Sequence, residues 1–151
     1  MKTVNTRLYL DEAVSILKEG HQISIPIKGV SMNPFLKENR DYAYLEGVDG
    51  KTSYKNGEIL LFIRDNDQYV LHRLYRNRSD YLLMRGDNQV IIEPIKADQV
   101  KARVIFVKRN GKILKPGNLI WNFFAGPWNQ ILLIRKIAGF KSRLKRRSNE
   151  L

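Results

Sequence analysis

Short segments of alternating apolar and polar residues, joined by turn residues, constrain this chain more than any other feature. Alternation with a period of two is typical of half-buried β-strands, and Asn, Asp, Ser or Gly between two such segments indicates a hairpin. Asn110-Gly111 is the strongest of these turn signals. We therefore predict an antiparallel, mainly β domain with its core over residues 23–114. The predicted strands lie within 23–28, 41–46, 57–64, 68–76, 80–86, 100–109 and 112–114.

A helix is predicted before the first strand. Apolar residues of the segment 9–19 lie near one helical face, and Gly20 follows at the position where helices commonly end. The 151 residues are enough for one domain with a real core and too few for two ordinary ones. We therefore assign residues 1–115 to a single β domain and residues 116–151 to a tail.

The composition excludes several kinds of chemistry. The chain has no cysteine, which excludes disulfides, thiol catalysis and thiolate metal ligands. Its two histidines, His21 and His72, have no spacing that is typical of a metal site, so we expect neither a metal nor another cofactor. Residues 1–20 contain no apolar stretch of the kind found in secretory signals, and we therefore expect a cytoplasmic protein.

The net charge of +12 indicates an anionic partner, and the charge is concentrated towards the end of the sequence. Seven lysines and arginines, with no acidic residue among them, lie between Arg135 and Arg147. We predict an amphipathic basic helix in this C-terminal part of the chain.

An uncharged segment at 119–134 precedes these basic residues and contains large aromatic side chains. Aromatic residues beside a basic stretch are typical of a segment that lies on a membrane surface. We therefore expect residues 119–147 to contact an anionic membrane, which would place the protein at its inner face. The alternative is that the aromatic residues fold back onto the sheet. Nucleic acid is disfavoured, because a tail that follows phosphates does not need Trp121, Phe123, Phe124 and Trp128.

Ser31 is the first candidate for chemistry. It lies in GVSMNP at 29–34, between a glycine that permits unusual backbone angles and a proline that restricts them, at the end of a predicted strand. A serine on such a loop can project into a cleft where backbone N–H groups point to the same place. The alternative is an ordinary loop serine that caps a turn.

His72 and Asp87 are candidates to assist this serine. Alternation in QYVLHRLY places His72 on the face of Val70 and Leu74, which faces the core or the floor of a cleft. A serine hydroxyl needs a nearby base, and Asp87, at the end of the next strand, could hold the imidazole in the required tautomer. The alternatives are a core histidine and a turn aspartate. We interpret His21, just after the predicted helix, as structural.

Taken in order, these segments resemble the superfamily of type I signal peptidases and LexA-like autoproteases, over about residues 20–110. Bacterial signal peptidases have lysine where this chain has His72, and the archaeal and endoplasmic-reticulum branch has histidine there. The similar segments are GVSMNP at 29–34 for the G-x-S-M-x-P box, Asp41 for the aspartate of the next strand, GEILLF at 57–62 for G-D-I-V-V-F, His72-Arg73 for lysine-arginine, GDN at 86–88 for G-D-N, and 100–104 for V-x-G-x-V.

The resemblance implies a serine endopeptidase on a signal-peptidase-like or LexA-like fold. It implies Ser31 as the nucleophile and His72 as the general base. It also implies an acid that orients the imidazole, for which we expect Asp87, with Glu93 as the alternative. The implied substrate is an extended peptide or a segment of a precursor protein.

The resemblance also places Gly29 and Met32 at the substrate and oxyanion site. Lys28 stands where signal peptidases usually have a serine, so we expect backbone N–H groups to bind the oxyanion without a side-chain donor. This departure keeps an alternative function open, in which the same fold is a non-catalytic module that binds a peptide or a membrane surface.

Overall fold

The computed structural model describes residues 6–131. In this part of the chain one antiparallel sheet is formed by eight strands: β1 Ile23–Pro26, β2 Tyr42–Gly47, β3 Ile59–Ile63, β4 Tyr69–Asn77, β5 Leu82–Arg85, β6 Glu93–Ile95, β7 Val100–Arg109 and β8 Lys112–Leu114. Their order is β1-β2-β7-β3-β4-β5-β6, and β8 pairs with β7. The predicted mainly β, antiparallel class is confirmed.

Residues 6–131 contain one helix before the sheet and a short helical segment after it. The first helix, α1, spans Thr6–Lys18 and ends where Gly20 adopts a φ of 92° and donates its N–H to the carbonyl oxygen of Leu17 at 3.0 Å. This ending confirms the glycine stop that the sequence predicted. A second helix, α2, spans Leu119–Phe123 and continues as a π-helical turn over Phe124–Trp128.

The strands pair as the predicted hairpins, and the sheet contains one further strand, β6, that was not predicted. Strands β3, β4 and β5 are successive neighbours, and β7 joins the two halves of the sheet by pairing with both β2 and β3. Asn110 and Gly111 both have positive φ, as a type I′ hairpin requires. Strand β6 was not predicted, because its three residues include Pro94 and show too little alternation to indicate a strand.

The sheet is covered on both faces. Ile59 and Leu61 of β3 point into a first core that also holds α1, whereas Leu60 and Phe62 point into a second core under β4 and β5. A strand buried on both faces has no polar side to alternate with. This explains why the sequence of β3 is a continuous apolar run.

The aromatic residues after β8 belong to the first core. Trp121, Phe124 and Trp128 are buried, and the first two rings contact the ring of Phe35 with centroids 5.7 and 5.0 Å apart. These three side chains thus fold back onto the sheet, as the alternative held, whereas Phe123 is exposed. The membrane contact expected of residues 119–147 stays a prediction. The domain also continues past residue 115, at least to Trp128.

The predicted basic helix and the residues 135–147 lie outside the described residues. Between residues 6 and 131, no helix has the length and the apolar character that crossing a bilayer requires.

Gly57 provides a test of how closely α2 and the π-helical turn are joined to the sheet. It has a φ of 99°, and a Cβ at this position would lie 2.8 Å from the carbonyl oxygen of Ala125. Gly117 has a similar φ of 101° but would meet nothing within 4 Å. Both alanine substitutions carry the left-handed strain of roughly 1–2 kcal/mol. We expect Gly57→Ala to lower the free energy of unfolding in urea further than Gly117→Ala; equal losses would contradict this contact.

Candidate active site

Ser31 lies in the loop that connects β1 to β2. The residues that follow it anchor the loop in the first core, since Met32, Phe35 and Leu36 are buried. Arg109 holds the same loop by donating to the carbonyl oxygen of Phe35 at 2.7 Å. With these neighbours fixed, Ser31 itself is half-buried at the surface of the domain.

Asp41 closes this loop. Its carboxylate accepts hydrogen bonds from the backbone N–H of Lys37 at 2.7 Å and of Asn110 at 2.9 Å, and the guanidinium of Arg40 binds both oxygens. Burial raises the pKa of Asp41, but these bonds to the charged form outweigh burial and hold its pKa below the ordinary value. Asp41 is thus a structural residue that ties the Ser31 loop to the β7–β8 hairpin.

The turn at 86–88 touches the Ser31 loop directly. The N–H of Asn88 donates to the carbonyl oxygen of Ser31 at 2.9 Å. A Cβ at Gly86 would lie 2.7 Å from the same oxygen, so this close approach requires glycine. The structure therefore brings the serine segment and the Gly-Asp-Asn turn together, although 55 positions separate Ser31 from Gly86, where the turn begins.

Asp87 binds Arg73 and not His72. Its two oxygens accept from Nε and Nη2 of Arg73 at 2.7 and 2.8 Å, and both side chains are buried. Arg73 also donates to the carbonyl oxygen of Gly57, and the indole N–H of Trp128 donates to that of Asp87, each at 2.8 Å. A buried guanidinium needs a fully engaged counterion. The assignment of Asp87 as the acid behind His72 is therefore corrected: Asp87 is the internal partner of Arg73.

His72 lies on β4 and is almost fully buried, with 3% of its surface exposed. As the alternation predicted, it shares its face with Val70 and Leu74, which are also buried. Its ring lies edge-on to Phe62, with centroids 6.0 Å apart. Its Nδ1 atom is buried and has no hydrogen-bond partner within residues 6–131. No carboxylate of the described chain orients this imidazole through Nδ1.

Glu93, the alternative acid, is held by Arg64. The carboxylate accepts from Nε and Nη2 of Arg64 at 2.7 and 2.9 Å. Burial lowers the pKa of His72 from 6.5 to about 4; the charge of Glu93 raises this pKa and that of Arg64 lowers it. His72 is therefore uncharged at neutral pH, and Glu93 acts on it through space and not through a hydrogen bond.

Ser31 and His72 line one cleft with a volume of about 920 Å³, and Gly29 and Met32 line it with them. The backbone N–H groups of Ser31 and Met32 bind no acceptor in the described part of the chain. There is also no hydrogen bond between the Ser31 hydroxyl and the imidazole within residues 6–131. The structure thus places the nucleophile and the base candidates in the same cleft without joining them.

One wall of the cleft is an unpaired edge of β4. Among the described strands, residues 69–72 of β4 pair with β3 only, because the pairing between β4 and β5 begins at Arg73. The N–H of Leu74 and the carbonyl of Gln68 bond towards β3, and bonding alternates along an antiparallel strand. The N–H and C=O groups of Tyr69 and Leu71 therefore face away from β3.

A second wall is an edge of β1, which among the described strands pairs with β2 only. The N–H of Ile27 bonds to the carbonyl oxygen of Asp41 at 3.0 Å, so Ile27 faces β2 and its neighbours face outwards. The outward backbone groups are the carbonyl of Pro26 and both groups of Lys28, and these two residues line the cleft. Backbone groups of two strand edges are thus available to a bound chain.

Sequence reasoning missed the two arginines that engage the acidic residues. Arg73 was placed on the face of β4 opposite His72, and that face is also buried because the sheet is covered on both sides. An arginine inside an apolar strand, followed by an aspartate at the next turn, was the signal for this ion pair. Arg64 gave no comparable signal, because it follows β3 in a polar turn.

Neither a search of the described residues for metal sites nor comparison with known proteins assigns a function to the chain. Within residues 6–131, no three His, Asp or Glu side chains are grouped so that they could hold a metal ion. Comparison with known protein families finds no model that matches the chain, and comparison with curated protein sequences finds no match either.

The buried imidazole predicts an acid-sensitive stability. Because the folded pKa of about 4 lies below the unfolded value of 6.5, the unfolded chain binds a proton that the folded chain does not bind between these pH values. The free energy of unfolding should thus fall as the pH drops from 6.5 to 4, by up to about 3 kcal/mol. We expect His72→Gln to remove most of this loss in urea titrations at pH 7 and pH 4.5; an unchanged loss would contradict the burial of a neutral His72.

Proposed function

We propose that the protein is a serine endopeptidase on a signal-peptidase-like or LexA-like fold, with Ser31 as the nucleophile and His72 as the general base. The observation that carries this proposal is the meeting of Ser31 and His72 in one cleft between two free strand edges. The sequence resemblance supports the same two roles. The absence of a charge on His72 at neutral pH also supports it, because only the neutral imidazole can accept a proton.

The chemistry follows from these roles. The Ser31 oxygen attacks the peptide carbonyl carbon while its proton passes to His72, and the resulting oxyanion accepts hydrogen bonds from the N–H groups of Ser31 and Met32. The imidazolium then gives the proton to the departing amine, which leaves an ester on Ser31. Water attacks this ester, with His72 again taking and returning a proton, and the free serine is restored.

The electrostatics of the cleft influence the base. Burial disfavours the imidazolium that forms during attack, and Arg64 disfavours it further, whereas Glu93 favours it. Glu93 thereby supplies part of what a hydrogen-bonded acid supplies in other serine enzymes, without contacting the ring. Lys28 is exposed at the cleft in place of the family's serine, so the oxyanion donors of this proposal are backbone groups.

The proposed substrate is an extended segment of a peptide or precursor protein. Such a segment can add to a free strand edge, where backbone hydrogen bonds hold it and the pockets along the edge select side chains. The outward groups of Leu71 on β4, and of Pro26 and Lys28 on β1, would bind it from two sides. The cleft volume of about 920 Å³ is within the range of about 300–1,000 Å³ that is usual for ligand sites.

Cleavage of a mixed library of unstructured peptides, with new termini identified by mass spectrometry, tests this function. We expect wild-type protein to give products, and Ser31→Ala and His72→Gln to reduce the rate by at least about 10³-fold. Ser24→Ala is the matched control, because Ser24 is an exposed serine of β1 that does not line the cleft. Retained cleavage in either site variant would overturn the assignment.

Gly86 tests whether the Gly-Asp-Asn turn positions the nucleophile. An alanine Cβ would press against the carbonyl oxygen of Ser31, so Gly86→Ala should shift the loop and lower kcat/KM by about 10²-fold. Gly50→Ala, where a Cβ meets nothing within 4 Å, is the control and should leave kcat/KM unchanged. Equal activity of the two folded variants would show that the turn does not position Ser31.

A non-catalytic peptide-binding module is the second candidate. The missing bond between the Ser31 hydroxyl and His72, and the arginine partners of Asp87 and Glu93, favour it. This candidate predicts that peptides bind equally to wild-type protein and Ser31→Ala and that neither gives a product at any pH. The same library therefore separates the two functions.

A further inference from the structure

The helical segment at 119–131 presents an apolar outer surface. Its inner side chains are buried in the first core, but four other apolar residues of the segment are exposed. Exposure reaches 86% at Leu119 and lies between 41% and 45% at the others. We call these four residues the outer face: Leu119, Ile120, Phe123 and Ile131.

Three of the four residues form one stripe. With 100° between successive residues of an α-helix, positions 119, 120 and 123 of α2 lie within about one third of a turn, and Ile131 follows the π-helical turn. The segment begins at a defined point, because the side chain of Asn118 accepts the N–H of Ile120 at 2.8 Å as an N-cap. Leu119 and Phe123 are thus held outwards by a rigid element, and nothing within residues 6–131 covers them.

The charges around the outer face have one sign. Lys112 and Lys115 precede it and are exposed. The sequence has no aspartate or glutamate between Gln99 and Asn149, and seven basic residues follow between Arg135 and Arg147. An apolar stripe with cations on both sides in the sequence is complementary to a bilayer whose headgroups are anionic.

We propose that the outer face docks the protein on an anionic lipid surface, with the apolar side chains at the headgroup boundary and the exposed Lys112 and Lys115 near the lipid phosphates. Other occupants fit less well. A second copy of the chain would bring two basic surfaces together, and a nucleic acid gives no reason for Leu119 and Phe123 to be exposed. The buried Trp121, Phe124 and Trp128 are not the contacting residues. This proposal does not depend on the proposed peptidase activity.

Sedimentation with lipid vesicles tests the docking. We expect full-length protein to bind vesicles of phosphatidylcholine with one quarter phosphatidylglycerol, more weakly as salt is raised, and to bind pure phosphatidylcholine poorly. Replacing Leu119 and Phe123 together by glutamate should weaken binding at least about tenfold. Leu8→Glu is the control, because Leu8 is 63% exposed and lies away from the outer face. Its neighbour Arg7 pairs with Asp67, which follows β3, whereas Ala125 lies against Gly57, which precedes β3.

A second measurement does not depend on the double variant being folded. Because the chain has no cysteine, Phe123→Cys and Leu8→Cys can each carry a single polarity-sensitive dye. We expect a blue shift on anionic vesicles from the dye at 123 and none from the dye at 8. The proposal would be overturned by equal shifts of the two dyes, by unchanged binding of the glutamate variant or by equal binding to both lipid mixtures. Tighter binding to duplex DNA, or a dimer that hides the dye at 123, would overturn it as well.

Discussion

The buried ion pair between Arg73 and Asp87 holds together the parts of the chain that form the candidate site. It joins β4 to the Gly-Asp-Asn turn, and that turn bonds to the carbonyl oxygen of Ser31. Arg73 also binds the carbonyl oxygen of Gly57, which precedes β3. Leaving either charge buried without its partner would cost about 3–5 kcal/mol. Asp87, which the sequence analysis assigned to catalysis, thus helps to position Ser31, the proposed nucleophile.

His72 shows the opposite arrangement. Both oxygens of Asp87 and of Glu93 are engaged by an arginine, while the imidazole is buried and its Nδ1 binds no partner in the part of the chain that the structure describes. Burial keeps the ring neutral, so that it can accept a proton, but it also lowers the pKa of His72 and makes the imidazole a weak base. In the proposed mechanism, the charge of Glu93 favours the imidazolium, and a bound substrate strand would have to complete the contact between Ser31 and His72.

The sheet was predictable from the sequence because alternation and turn residues act locally, and Asn110-Gly111 fixed a hairpin without help from the rest of the chain. The face of His72 followed from the same period of two. The partner of Asp87 did not follow from this period, because its signal, an arginine inside an apolar strand before an aspartate at the next turn, is not periodic. The burial of Trp121 was missed for a related reason: the composition near it fits both a membrane surface and a core, and only the packing of its ring against Phe35 decides between them.

The most direct test of Ser31 as the nucleophile is to trap the ester on this residue. Wild-type protein is mixed with a peptide p-nitrophenyl ester, quenched in acid and mapped by mass spectrometry. The p-nitrophenolate leaves without being protonated, so the measurement reports the attack by Ser31 alone. We predict one acyl group, on Ser31, that forms much more slowly in His72→Gln. Acylation elsewhere with none on Ser31, or an equal rate in the His72 variant, would contradict it.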